Sequence, residues 1–347
     1  MKKFFLFAVA LVGTMLAHAQ LSDGVSATLQ TGETTTVFYG YNAFKDAITA
    51  ASEKTGNIIT LSPGAFGNPG NISKSVKIYG AGFWEDTEKS ISATTVAGDL
   101  NIVSTDDCNP VVRIEGVYVN GHLSISGNQT VKGTEIVKCS WNNYNNNVET
   151  DNTIIRQCYI RGNVDGKSKK ATGFLLANSY LYRIQFFAEG SGVSVIHCIL
   201  TGAEWQTFGP YYYYGNIIDP HNYYCAIDAG ATCYYNVSND ARLSNGGNNA
   251  MLGNYNQDAT WKSFKKLFAD EQDNLTYLDA DGNPRKWVLA EPTVYVDAEG
   301  TPCGVTGGDF PWNPIPATPR IISTSVDAKT TPGTLKVSIK AEARPIE

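Results

Sequence analysis

The sequence predicts an all-β chain wound as a right-handed parallel β-helix, a solenoid of short stacked strands with a short capping helix at each end and a C-terminal β-hairpin. Three observations predict it. A motif recurs at an interval close to twenty residues, each unit is rich in β-branched and aromatic residues, and turn-forming residues separate the units.

The motif is carried by Ile136-Val-Lys-Cys139-Ser-Trp141, Ile155-Arg-Gln-Cys158-Tyr-Ile160, Leu175-Leu-Ala-Asn178-Ser-Tyr180, Val195-Ile-His-Cys198-Ile-Leu200 and Tyr213-Tyr-Gly-Asn216-Ile-Ile218. In each, a large apolar residue stands three positions before a Cys or Asn marker and another two positions after it. The markers 139, 158, 178, 198 and 216 are 19, 20, 20 and 18 residues apart. A weaker member follows at Cys233-Tyr-Tyr-Asn236, and Val112 to Gly116 and Val76 to Gly80 read as earlier members with Gly at the marker. A unit this short has no room for a strand, a crossover helix and a second strand. It fits one coil of a parallel β-helix, with turns at Gly121, Gly127-Asn128, Gly162-Asn163 and Asp165-Gly166. The 28 Asn residues agree, because Asn tolerates left-handed bends and stacked amides form ladders.

Stacking puts equivalent markers about 4.8 Å apart, whereas a disulfide prefers a Cβ separation of about 3.8 Å. Cys139, Cys158 and Cys198 are therefore expected as reduced, buried thiols, although seven Cys in an exported chain would ordinarily suggest bridges. Metal binding is not expected, since there is no Cys-x-x-Cys pair and His197 should point away from Cys198. Cys225 and Cys233 stay open as a bridge in a loop.

Export itself is read from residues 1–19. Lys2 and Lys3 form a charged start, Phe4 to Leu16 an apolar run too short to span a bilayer, and Ala17-His18-Ala19 a cleavage site before Gln20. No later apolar run is long enough to span. Loss of Lys2 and Lys3 moves the net charge from −6 to −8, which speaks against a nucleic-acid partner. The predicted organisation is signal peptide 1–19, β-helix 20–316 and hairpin tail 317–347.

A solenoid must cover its apolar ends. Ala43, Phe44, Ala47, Ile48 and Ala51 recur at helical spacing after Asn42, a suitable N-cap, and predict a short helix over the first coil. Trp261, Phe264, Leu267 and Phe268 predict a second over Ala259 to Glu271. Beyond the prolines at 311, 314, 316 and 319, Arg320 to Lys329 and Thr334 to Ala343 alternate around Pro332-Gly333 as a hairpin, which either packs on the solenoid or serves in outer-surface attachment.

The helix, a strand ending in Pro63-Gly64-Ala65-Phe66 and a strand ending in Tyr79-Gly80-Ala81-Gly82 together resemble the start of secreted right-handed β-helix proteins of the pectin-lyase-like superfamily. The stretch from Trp287 to Trp312 resembles the closing coils of exported β-helix proteins from Bacteroidetes. The resemblance implies polysaccharide chemistry. Lyases of that superfamily remove the proton α to a uronate carboxyl, commonly with Lys or Arg as base and Ca²⁺ beside the carboxylate, and Lys138, Arg156, Arg161 and Arg183 are the candidates for such a base. A guanidinium serves as base only where its surroundings depress a very high pKa. The acidic Ca²⁺ cluster of such lyases is not evident, and the Asn-Thr-Asp and Gly-His-Gly motifs of related hydrolases do not occur. Asp279 and Asp281, around Gly282, have the alternating oxygens of a Ca²⁺ loop but also of a plain turn. No other cofactor is expected.

Aromatic residues point elsewhere. Trp205, Tyr211, Tyr212, Tyr214, Tyr223 and Tyr224 crowd a short stretch with Tyr213, Tyr234 and Tyr235, more rings than a core holds with every hydroxyl satisfied. Outward members on adjacent coils would form a flat strip suited to sugar rings. The sequence thus favours an exported protein with a polysaccharide- or glycan-contacting face and no recognisable catalytic cluster. The alternative is a lyase or hydrolase acting on an acidic polysaccharide, and a purely structural role in a surface assembly is the third.

Overall fold

The computed structural model describes residues 24–202 except 54–55 and 87–90, then 207–208, 211–218, 226–227, 231–238 and 250–256. From 267 to the end it describes all but 272–274, 280, 317–319, 327–336 and 343–347. The predicted signal peptide lies outside these residues, as do Trp205, Tyr223, Tyr224, Cys225 and most of the predicted second helix.

Short strands that alternate inward and outward side chains stack into a parallel β-solenoid of about 8 turns. A representative coil contributes Glu135–Val137 to a 12-stranded sheet, Ser140–Trp141 to a 10-stranded sheet and Tyr144–Asn146 to a 6-stranded sheet. These are called the first, second and third sheets. The first sheet registers Ile114, Ile136, Ile155, Leu176, Val195 and Tyr213 in a single inward file. Every member is buried. Such a file removes apolar side chains from water at roughly 1.5–3 kcal/mol each.

At the N-terminal end, β1 (Ser26–Thr31) and β2 (Thr34–Tyr39) form an antiparallel hairpin, and β1 also pairs antiparallel with Asn57–Leu61 of the first sheet. Helix α1 (Ala43–Ala50) buries Ala43, Phe44, Ala47 and Ile48 as its spacing predicts. Asn42 occupies the N-cap position without a side-chain cap bond. Among the described residues α1 is the only helix, and no helix is long and apolar enough to cross a membrane. The predicted C-terminal hairpin is present, with Arg320–Val326 antiparallel to Val337–Glu342.

One marker moves. The register Arg156 to Ala177 to Ile196 places Ser179, not Asn178, between Cys158 and Cys198. Gly80 and Gly116 likewise stand one residue before the column. The reason is a bend. The residue leaving each first-sheet strand adopts a left-handed conformation, with φ of 51° at Lys138, 54° at Gln157, 44° at Asn178, 50° at His197 and 62° at Gly215. Asn and Gly suit that conformation, so they appear in the repeat for a reason other than the column's.

The column's chemistry follows from the bend. From Val117 onward column N–H groups donate to the side chain of the next coil's column residue: Cys158 to Ser179 Oγ at 3.1 Å, Cys198 to Asn216 Oδ1 at 2.7 Å, Asn216 to Asn236 Oδ1 at 3.0 Å and Asn236 to Asn254 Oδ1 at 2.9 Å. The amides also stack as the predicted ladder, Asn216 Nδ2 donating to Asn236 Oδ1 at 2.9 Å and Asn236 Nδ2 to Asn254 Oδ1 at 3.1 Å. Cys139 and Cys158 act as thiol members, each donating to the carbonyl two residues earlier at 3.1 Å. Cys139, Cys158, Cys198 and Cys233 are free and buried, and burial pushes the thiols of Cys139, Cys198 and Cys233 up to about 12.

Two outcomes are expected. Asn236→Ala strips acceptors from Asn216 and a donor from the Tyr213 carbonyl, so chemical unfolding should show a loss of about 3 kcal/mol. Iodoacetamide at mildly alkaline pH should leave these four thiols unmodified until denaturant is added, which mass spectrometry reads directly.

Candidate functional site

Outside the inward file, each first-sheet strand presents two outward positions. One outward file runs Arg113, Glu135, Ile154, Leu175, Ser194 and Tyr212, and the other Glu115, Val137, Arg156, Ala177, Ile196 and Tyr214. The face is therefore charged at its N-terminal end, apolar at its middle and aromatic at its far end.

At the charged end the signs cancel. Arg113 bridges Glu115 at 2.7 Å and Glu135, and Arg156 reaches Glu135 at 3.3 Å while lying 4.8 Å over the Phe310 ring. Burial opposes the Arg113 charge, but the two carboxylates outweigh it and hold the guanidinium above its ordinary range.

The four candidate bases do not converge. Lys138 sits at the bend, 5 % exposed, with Nζ on the Ile315 carbonyl at 3.1 Å. Arg161 follows the second sheet, its guanidinium 4.5 Å over the Tyr118 ring and bonded to the Val119 carbonyl at 2.7 Å. Arg183 belongs to the third sheet and donates to Asn163 at 3.2 Å. Residues that look like successive members of a repeat fall at different angles around the coil.

At the aromatic end Tyr213 points into the core, and Tyr211 is buried with its hydroxyl accepting the Phe187 N–H at 3.1 Å. Tyr212 and Tyr214 point outward, half-buried, with ring centroids 5.9 Å apart and planes 14° from parallel. Tyr234 meets Tyr212 edge-on at 6.0 Å, and Tyr235 meets Tyr214 at 5.7 Å. Asp279 spends one carboxylate oxygen on the backbone N–H groups of Asp281 (3.0 Å) and Asn283 (2.8 Å) in its own turn. Among the described residues no three His, Cys, Asp or Glu side chains gather as a metal site.

Sequence reasoning missed the strap. Residues 267–316 add no strand to the solenoid's sheets among the described residues, so they are not closing coils; they run back along the row of left-handed bends instead. Cys303 Sγ reaches the Tyr235 carbonyl at 3.0 Å, Gly304 N–H the Gly215 carbonyl at 2.7 Å, and Asn178 Nδ2 the Gly307 carbonyl at 2.6 Å. Gln157 Nε2 then holds the Pro311 carbonyl at 2.6 Å, before Lys138 holds Ile315. On the second-sheet side Tyr277 stacks on Tyr159 at 3.7 Å and Trp287 leans on Tyr180 at 5.4 Å.

The strap contains a second repeat that was available in the sequence. Tyr277-Leu-Asp-Ala-Asp-Gly-Asn-Pro284 and Tyr295-Val-Asp-Ala-Glu-Gly-Thr-Pro302 share one frame, and both Asp residues cap their turns alike. Only the second Asp faces a histidine. Asp297 Oδ2 accepts from His197 Nε2 at 3.0 Å and from Thr301 Oγ1 at 2.7 Å. Burial holds His197 below its usual range against the pull of Asp297. Burial also opposes the Asp297 charge, yet Thr301 and His197 hold that carboxyl low.

Comparison with protein-family models, with curated proteins and with solved structures returns no match. The class defined is that of a parallel β-solenoid with a side strap.

Gly215→Ala should loosen the strap. The residue has φ of +62°, and an added Cβ would lie 2.6 Å from His197 Cε1. The left-handed cost alone is roughly 1–2 kcal/mol, so the melting temperature should fall by several degrees.

Proposed function

We propose that the chain is an exported β-helix protein of the pectin-lyase-like kind that binds a polysaccharide or surface glycan, without cleaving it, on the outward face of its first sheet. The observation that carries this reading is the pair of outward tyrosine rings, nearly parallel to each other, with Tyr234 edge-on beside them. Sugar rings have apolar faces, and flat aromatic surfaces on successive coils suit them. The half-buried Ile154, Leu175 and Ile196 continue the apolar surface along the sheet. Charge cancellation at the N-terminal end of the face leaves an acidic polymer little positive charge to meet there.

Cleavage by β-elimination asks for a base free to take a proton. Arg156 is tied to Glu135 and Phe310, and Lys138 to the strap, which weighs against either as that base.

Affinity electrophoresis against soluble neutral and uronic-acid polysaccharides tests the proposal. Retardation is expected with at least one polymer, and Tyr212→Ala or Tyr214→Ala should weaken it about fivefold, the equivalent of roughly 1 kcal/mol per ring. Absorbance from unsaturated product should stay flat. A rise abolished by Arg156→Ala, or no retardation by any polymer, would overturn the reading.

A further inference from the structure

Among the described residues, His197 is the bend side chain that meets an acidic group of the strap. Its backbone takes the left-handed bend, and its ring is 2 % exposed in a socket built from glycines of two different elements. A Cβ on Gly215 of the next coil would lie 2.6 Å from the ring, one on Gly308 of the strap 2.5 Å, and one on Gly307 3.0 Å. The socket exists only while the strap is down. The titratable groups facing it are Asp297 from the strap and Tyr214 from the next coil; behind them stand Glu299, bonded to Tyr214, and Cys303, beside Asp297. Tyr214 packs edge-on to the imidazole at 5.9 Å, and its hydroxyl bonds Glu299 and the Ala298 N–H. The same turn that seats His197 therefore lies on the aromatic end of the first-sheet face.

We propose that His197 makes the strap a proton-sensitive clasp: the neutral imidazole lets Asp297 to Gly308 close over Tyr214, and a proton on the imidazole favours release. The binding consequence rests on the reading of the tyrosines as a glycan surface; the clasp does not. The physical reason is desolvation. A protonated imidazole in the glycine socket gives up water that it regains when the strap lifts, and the Asp297 carboxylate with the Pro302 and Gly304 backbone does not fully replace that water. The sign follows from linkage. The group binds its proton more weakly closed than open, so closure is complete above the open-state value near 6.5. It weakens as pH falls below 6.5 toward the closed-state value. Release frees the Tyr214 hydroxyl from Glu299 and uncovers its ring.

Hydrogen exchange of the full chain without ligand, at about pH 7.5 and about pH 5 and corrected for the intrinsic rate, tests the clasp. The Gly304 amide, bonded to the Gly215 carbonyl of the coil, should lose about tenfold in protection at the lower pH, while the Ile155 and Val195 amides keep theirs. His197→Gln should abolish the difference. Equal strap protection at both pH values, or a difference that survives His197→Gln, overturns the proposal. Should that variant loosen the strap at both pH values, the imidazole titration of the unmodified chain decides by NMR: a midpoint below 6.5 that tracks strap exchange supports the clasp, and one at 6.5 overturns it. Because exchange is read without ligand, failure of glycan binding leaves this result standing on its own.

Discussion

Where each coil turns out of the first sheet, a backbone N–H is swung away from the neighbouring strand and must find an acceptor in a dry place. The column of Cys139, Cys158, Ser179, Cys198, Asn216, Asn236 and Asn254 supplies it, each side chain reaching one coil back. A buried N–H left alone costs about 1–3 kcal/mol, and the debt would recur at every turn. From Cys139 onward small side chains that both accept and donate meet that demand, which explains why Cys, Ser and Asn interchange there, while the Ala81 N–H of an earlier coil is met by Thr94 Oγ1. The same bend fixes where the strap can lie, because the left-handed residues turn Lys138, Gln157, Asn178 and His197 outward in a row.

Much of the fold was legible because a stack repeats its demands. The inward apolar file and the short strands recur at nearly constant spacing, so periodicity exposed them. Asn178 shows where that reasoning slips. Two adjacent positions with different requirements both accept Asn, and a pattern alone does not say which is occupied; the extra residue between Cys158 and Ser179 resolves it. The β1 and β2 hairpin was silent for another reason: it is antiparallel and occurs once, so no period announces it.

The site was less legible. Tyr212 and Tyr214 were found because neighbours in sequence are also neighbours on a strand, and alternation separates them from Tyr213. The candidate bases were grouped by their place in a sequence repeat, but a difference of a few residues within a coil rotates a side chain onto another sheet, as Arg156, Arg161 and Arg183 show. The strap's partners are farther still. His197 and Asp297 are 100 residues apart and Tyr159 and Tyr277 meet only because the chain doubles back, which no local pattern encodes. The duplicated Tyr-x-Asp-Ala-x-Gly-x-Pro turn was the one signal in reach.

The bend column is open to direct observation by NMR through scalar couplings across hydrogen bonds. The account predicts couplings from the Asn216 amide nitrogen to the side-chain carbonyl carbon of Asn236, and from the Asn236 amide nitrogen to that of Asn254. Couplings from those amides to backbone carbonyls of a neighbouring strand, in place of the side-chain partners, would contradict it.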